Sequence, residues 1–265
     1  MSKALANKAR ISLALVVSAL ALGGCGWFGS DKDKPYVETP VEILYNRALD
    51  DLGQQDYKLA AKEFEEVDRQ HPYSVWATKA QIMAAFTFYQ ANKYDDAIIA
   101  LDRFIQLHPG HKDIPYAYYL KGLCFYEQIS DVGRDQRITQ QALDALAEVV
   151  KRYPDTPYAR DARLKVELTI DHLAGKEMLV GRYYQKQQQF VGAINRYRMV
   201  IERYQTTTHV PEALHRLVEC YLALGVKQEA QEAAAVLGYN FPGSDWYADS
   251  YFLLTGKDFR FDSSK

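Results

Sequence analysis

Two pairs of polar residues have types and spacings that could support chemistry. His108 and His111, in His-Pro-Gly-His, could bind a metal ion, and Asp131 and Asp135 could act as paired carboxylates. Both pairs lie in polar, glycine-containing stretches that we interpret as turns or loops, where such side chains are usually solvated or hydrogen-bonded. The sequence contains no Gly-x-Ser-x-Gly, His-Glu-x-x-His or P-loop motif. We therefore expect no enzyme activity, no metal site and no cofactor.

A third candidate is the glycine-rich stretch ALGGCGWFGS, which contains the dinucleotide-binding pattern G-x-G-x-x-G at Gly24, Gly26 and Gly29. That pattern works only between a strand and a helix, because the helix N-terminus must face the pyrophosphate. Here a basic segment and an apolar run (residues 11–22) precede the glycines, and the charged, proline-bearing stretch SDKDKPYVETP follows them. The context is that of a signal segment followed by a linker.

The four residues Leu22-Gly23-Gly24-Cys25 resemble the bacterial lipobox. The apolar run before them is too short to span a membrane, which takes about 20 residues. The resemblance implies a lipoprotein signal peptide (residues 1–24), lipidation of Cys25 and a linker (residues 25–39). Gly26, in place of Asp, implies attachment to the outer membrane on its periplasmic face, through the lipid anchor. The alternative is an ordinary secretory signal with a coincidental cysteine.

The composition of the mature chain argues against nucleic-acid binding. Removing the signal segment leaves 29 basic and 34 acidic residues, a formal charge of −5, so we expect no nucleic-acid partner. Beyond Cys25 there are only Cys124 and Cys220. A disulfide between them is possible, but both lie in apolar helical patterns, which favours buried free thiols. Tyrosine is abundant, with 20 residues against 11 Phe, and its amphipathic ring suits contact surfaces.

A repeated segment dominates the rest of the sequence. Five stretches starting at residues 57, 94, 139, 190 and 227 align without gaps, and four of them end in proline. Each is an amphipathic helix with alanine at the fourth position: Ala60, Ala97, Ala142, Ala193 and Ala230. A second helix precedes each one, and the small and aromatic positions of the pair resemble those of tetratricopeptide (TPR) repeats, with Ala85 and Phe88 as examples.

The repeat predicts an all-α, right-handed solenoid of five TPR-like helical hairpins. Two spacings are longer than the others. The extra residues of repeat three form a polar loop at ISDVGRDQRI, and those of repeat four predict an added or lengthened helix before that repeat. We divide the array into an N-terminal half (residues 40–157), a C-terminal half (residues 158–255) and a tail (residues 256–265).

In TPR proteins the first helix of each hairpin lines the concave face. In the N-terminal half this predicts a mostly aromatic, peptide-binding groove formed by Tyr45, Ile82, Phe86, Tyr89, Tyr116, Tyr119 and Tyr126. The matching positions of the C-terminal half are mostly polar: Met178, Arg182, Gln185, Lys186, Glu212, His215 and Glu219. The alternative is that the aromatic residues pack against one another or against the lipid-proximal segment.

The segments ALDRFIQLHPGHKDIPYAYYLKGLCFYEQISDVGRDQ and YYQKQQQFVGAINRYRMVIERYQTTTHVPEALHRLVECYLALG, with the lipobox, resemble the BamD family of the β-barrel assembly machine. The resemblance covers nearly all of the mature chain. It implies a non-enzymatic lipoprotein in a complex with BamA and other assembly lipoproteins.

In that family the C-terminal repeats bind the POTRA region of BamA, and Arg196, in AINRY, matches the arginine that contacts BamA. We expect Arg182, Lys186, His215 and Glu219 to join it. The N-terminal repeats are proposed to receive the C-terminal signal of unfolded outer-membrane β-barrel proteins, which ends in an aromatic residue. Two rivals stay open: another TPR lipoprotein scaffold, tied to peptidoglycan or division, and a hydrolase or metalloenzyme.

Overall fold

The computed structural model describes residues 38–257, and residues 41–257 form eleven α-helices in series. The first six are α1 (Val41–Gly53), α2 (Tyr57–Gln70), α3 (Val75–Gln90), α4 (Tyr94–Leu107), α5 (Ile114–Tyr126) and α6 (Arg137–Arg152). The others are α7 (Pro157–Lys186), α8 (Phe190–Arg203), α9 (Val210–Ala223), α10 (Lys227–Asn240) and α11 (Asp245–Thr255). The signal segment, Cys25 and the tail from residue 258 lie outside the described residues.

The helices pair into five hairpins, α1–α2 to α9–α10, and a left-handed residue turns the chain in four of them. Gln55, Asn92, Gln188 and Gly225 have φ values of 64°, 57°, 60° and 78°. A residue in this conformation ends one helix and allows the next to run back antiparallel. The fifth hairpin, α5–α6, uses the predicted polar loop instead, here called the α5–α6 loop (residues 127–136).

Small residues let the paired helices approach closely. All five repeat alanines are fully buried, which confirms the alanine pattern as the core of each hairpin. Gly181 shows how tight the packing is, because a Cβ there would lie 2.5 Å from the ring of Tyr197 in α8. Each helix packs on the next, and α1, α3, α5 and α7 also contact one another in series. This is the packing of a TPR solenoid, and the all-α fold prediction is confirmed.

Two helices extend the simple repeat. The lengthened helix predicted before repeat four is α7, whose first half packs on α6 and whose second half pairs with α8. The other, α11, was not predicted as a separate element. Its N-cap is Ser244, whose side chain accepts from the amide of Tyr247 as that of Ser74 accepts from Ala77 in α3, and the helix packs on α9 and α10. It therefore occupies the place that the first helix of a following repeat would take.

Two properties of the described helices bear on the environment of the chain, their hydropathy and the state of their cysteines. Within residues 38–257 no helix is both long and apolar enough to cross a bilayer. Cys124 and Cys220 are both buried and free, as their apolar surroundings indicated. Burial raises the pKa of each thiol to about 12, which keeps both protonated at neutral pH.

Candidate functional site

Four half-buried tyrosines on α3, α5 and α7 form a group, here called the tyrosine cluster: Tyr89, Tyr116, Tyr119 and Tyr158. The ring of Tyr158 lies 5.5 Å from that of Tyr116 and 5.4 Å from that of Tyr119, which it stacks. Tyr89 is close enough to contribute to the raised pKa values of Tyr116 and Tyr119. All four rings are half-buried, so they offer apolar faces together with hydroxyl groups.

Carboxylates fix the orientation of this surface. The Tyr119 hydroxyl donates to Asp161 at 2.5 Å, and Lys165 pairs with the same carboxylate at 2.8 Å. These hydrogen bonds lower the pKa of Asp161. The Tyr89 hydroxyl lies 3.5 Å from Glu127. Burial, followed by the nearby Glu127, raises the pKa of Tyr89 to about 12, so its hydroxyl stays a hydrogen-bond donor at neutral pH.

The other predicted groove residues of the N-terminal half divide into three environments. Tyr45 packs against Phe64 and Trp76, with ring distances of 5.5 and 4.9 Å, in the core of the first hairpin. Phe86 is half-buried, and Tyr126 carries Lys165 over its ring at 5.6 Å. Ile82 requires a correction: it is 7% exposed and packs with α4 and α5, so it belongs to the core and does not line a groove.

At the equivalent face of the C-terminal half lies a set of paired polar side chains, here called the charged network: Arg182, Gln185, Glu212, Arg216 and Glu219. Arg182 donates to both carboxylate oxygens of Glu212 at 2.9 Å. Glu219 accepts from Gln185 at 2.9 Å and from Arg216 at 2.8 Å. The network therefore ties α7 to α9 through hydrogen bonds that the chain itself supplies.

Helix α11 covers one side of this network. Trp246 packs against His215 with ring centroids 5.3 Å apart and lies under the Arg216 guanidinium at 5.5 Å. Ser250 is within 2.8 Å of the His215 Nδ1 atom. His215 is only 4% exposed and Met178 is fully buried, so the expectation that they line an open face is corrected. A sequence comparison of hairpins could not show this, because α11 follows the last complete repeat.

The electrostatics of the network centre on Glu219. Burial alone would raise the pKa of this carboxylate, but hydrogen bonds from His215, Gln185 and Arg216 outweigh burial and lower it to about 2. Burial opposes the charge of Arg216, and its pairing with Glu219 and Glu212 outweighs that effect and raises its pKa. Both groups are therefore charged at every physiological pH.

Two predicted partner-binding residues remain accessible beside the network. Arg196, on α8, pairs with Glu177 of α7 at 3.0 Å while its side chain stays 38% exposed. Lys186, at the end of α7, is exposed. Both side chains are therefore accessible to a partner.

The residues that could have supported other chemistry lie in turns. His108 contacts Gln81 at 2.9 Å, and its ring centroid is 6.4 Å from that of His111. Asp131 and Asp135 accept hydrogen bonds from the amides of Gly133 and Arg137, within the α5–α6 loop. Among residues 38–257 no group of three or more His, Cys, Asp or Glu side chains is arranged to hold a metal ion.

Tyr158 belongs to the tyrosine cluster, and Asp161 and Lys165 anchor it, yet none of the three was predicted to be a site residue. A signal for Tyr158 was present: an aromatic residue precedes alanine near the start of four helices, at Trp76, Tyr116, Tyr158 and Tyr247. Alignment on the second helices hid it, because the lengthened α7 shifts its own start by about four turns.

Known proteins match this chain over most of its length. A family model described as an outer membrane lipoprotein, YfiO, matches residues 37–237. The outer membrane protein assembly factor BamD of Caulobacter vibrioides is 49% identical over 250 residues, covering 94% of this chain and 82% of that protein. The BamD proteins of Rickettsia prowazekii and Neisseria meningitidis serogroup A are 46% and 35% identical, covering 91% and 90% of this chain and 95% and 94% of theirs.

Proposed function

The chain belongs to the YfiO family of outer-membrane lipoproteins, which includes the BamD assembly factors, and we propose that it joins two recognition surfaces on one solenoid. As a family member it is an outer-membrane protein assembly factor and not an enzyme. In our proposal the N-terminal half captures the C-terminal signals of unfolded β-barrel proteins. The C-terminal half docks the POTRA region of BamA, and a lipid on Cys25 holds the chain at the periplasmic face of the membrane.

The tyrosine cluster is the observation that carries the proposal for substrate capture. Half-buried aromatic rings with anchored hydroxyls bind an aromatic side chain by edge or stacked contacts and tolerate variation in the residues around it. An unfolded β-strand exposes unpaired backbone groups and apolar side chains, which makes it prone to aggregation until it is paired. Holding its aromatic end on a rigid helical surface would delay that aggregation until insertion.

The charged network, Arg196 and Lys186 support the proposal for docking. Charged side chains at an interface mainly provide orientation and specificity, which suits a scaffold that must hold BamA in one geometry. Because the network is already paired in the free chain, its members keep their positions before the partner arrives. Arg196 and Lys186 then supply the exposed positive charge that an acidic partner surface would meet.

Site-specific crosslinking tests the capture proposal. A photoreactive phenylalanine analogue at position 86 or 119 should crosslink to a peptide carrying the C-terminal sequence of an outer-membrane β-barrel. The same analogue at Tyr239, an 86% exposed position on α10, is the matched control and should give little product. Efficient capture from position 239, with none from 86 and 119, would overturn the proposal.

A further inference from the structure

A cavity of about 440 Å³ opens between the end of α5, the α5–α6 loop and the middle of α7; we call it the α5–α7 cavity. Tyr126, Ile129 and Leu168 supply its apolar walls, and Leu168 is 60% exposed to solvent there. Glu127 and Asp131 also line it and are exposed, so they lie at its mouth. Its volume is at the small end of ligand pockets, which span roughly 300 to 1,000 Å³. It therefore suits one long side chain and not a whole cofactor.

The charges of the cavity select a positive ligand. In the described part of the chain neither Glu127 nor Asp131 forms an ion pair. Glu127 has only the long contact with the Tyr89 hydroxyl, and Asp131 accepts from the Gly133 amide at 2.7 Å. The nearby ammonium of Lys176 donates instead to the carbonyls of Gly133 and Arg134. Two unneutralised carboxylates beside one opening attract a cation and repel an anion.

Two further features fit a cationic side chain with an apolar stem. The Tyr126 ring already has the Lys165 ammonium 5.6 Å from its centroid, which shows that a cation can approach this ring. The Nε2 atom of His172, another lining residue, is buried and has no hydrogen-bond partner. In the neutral ring with its proton on Nδ1, Nε2 is an acceptor that the chain's own donors leave unsatisfied beside the cavity.

We propose that the α5–α7 cavity receives a lysine or arginine side chain of the same extended segment whose aromatic residue binds the tyrosine cluster. The inference rests on the proposed function and adds a second specificity element to it. Tyr119 and Tyr126 are seven residues apart on α5, about 10 Å along the helix axis. An extended peptide rises about 3.3 Å per residue, so the cation should stand about three residues from the aromatic residue.

Peptide binding to the full lipidated chain in detergent tests this inference. The probe is a fluorescein-labelled peptide of about ten residues that ends in phenylalanine and carries one arginine three residues earlier. In the comparison peptide citrulline, which is uncharged and similar in shape, replaces arginine. Fluorescence anisotropy should show about 3- to 10-fold tighter binding of the arginine peptide, as expected for two partly solvated ion pairs.

The double variant E127Q/D131N should abolish that preference, since both amides keep the shape but lose the charge. The control variant D155N/E229Q changes the same formal charge at two exposed positions away from the cavity and should retain it. A preference that persists in E127Q/D131N would overturn the inference.

Two results with the wild-type chain separate this inference from the proposal it rests on. Equal binding of both peptides, with the terminal phenylalanine still required, would overturn the role of the cavity and leave aromatic capture standing. No binding of either peptide would overturn both.

Discussion

The two halves of the solenoid use equivalent helix faces in opposite ways. In the N-terminal half, α3, α5 and the start of α7 present tyrosine rings whose hydroxyls contact single carboxylates, as in Tyr119 with Asp161. In the C-terminal half, the end of α7 and α9 present charges that pair with one another and are partly covered by α11. The tyrosine cluster leaves apolar ring surface accessible for binding, whereas the polar groups of the charged network are already hydrogen-bonded to one another.

This difference shows that the scaffold and the recognition surface are encoded separately. The buried alanines that hold each hairpin together are the same in both halves, with Ala97 and Ala193 as examples. These alanines lie on the second helix of each hairpin and allow the first helix to pack closely against it. Residues on the opposite face of the first helix can therefore change without disturbing the contact between the two helices. A fully paired polar network favours one partner geometry, and a tyrosine surface tolerates many sequences.

The largest effect should come from breaking the shared scaffold. Phe104 is a fully buried core residue of α4, and Phe104→Ala should lower the free energy of unfolding by about 3 to 5 kcal/mol because it leaves a cavity. Urea unfolding followed by circular dichroism measures this. Ile99→Ala, at a largely exposed position on the same helix, is the control and should cost less than about 1 kcal/mol. A similar loss in both variants would contradict this account of the core.

Acid should weaken the charged network next. The pKa of Glu219 is lowered to about 2 from an unfolded value of 4.5, so the folded state favours the charged form. Its stabilisation is complete above pH 4.5 and is lost as the pH falls from there through about 2, by about 3 kcal/mol in total.

The comparison of wild type with Glu219→Gln measures that contribution. The variant should lack this part of the acid dependence when unfolding free energies are measured from pH 6 to pH 2, and Glu229→Gln, at an exposed site on α10, should behave as wild type. Asp161, whose pKa is also lowered, gives the tyrosine cluster an acid dependence of its own that neither variant should alter. Identical acid profiles of wild type and Glu219→Gln would remove Glu219 from the network's energetics.

The sequence predicts those features of the structure that depend on residues close together in the chain. The hairpins, the buried alanines, the α5–α6 loop and the lengthened α7 all follow from local periodicity and spacing. The role of α11 does not, because its effect is to bury His215 by a contact between residues about 35 positions apart. The pairing of Arg182 with Glu212 is likewise set by how α7 meets α9. The sequence thus predicts which residues a helix exposes when no distant helix packs on that face. It does not predict them where such a helix covers the face, as α11 covers His215.

Removing one ring should weaken peptide capture by a smaller amount. Tyr119→Ala deletes the ring that stacks on Tyr158, and aromatic contacts of this kind contribute about 0.5 to 1.5 kcal/mol. Affinity for a peptide ending in phenylalanine should fall about 2- to 10-fold, as measured by fluorescence anisotropy. Tyr239→Ala removes an exposed tyrosine of the C-terminal half and should have no effect. Equal losses in the two variants would mean that binding is not confined to the N-terminal face.

The smallest effect on stability, and the sharpest test of docking, concerns two neighbouring arginines on α8. Arg196 reaches Glu177 on α7, whereas the ion pair of Arg198 within residues 38–257 is with Glu202 of its own helix, at 3.0 Å. Both pairs involve largely or partly exposed arginines, so either alanine substitution should cost less than about 1 kcal/mol of folding free energy. If α8 faces BamA through Arg196, only Arg196→Ala should weaken binding of a purified POTRA fragment, measured by calorimetry. Because the two variants change the same charge on the same helix, a shared loss of binding would indicate general electrostatic attraction, and no loss in either would place the BamA contact elsewhere.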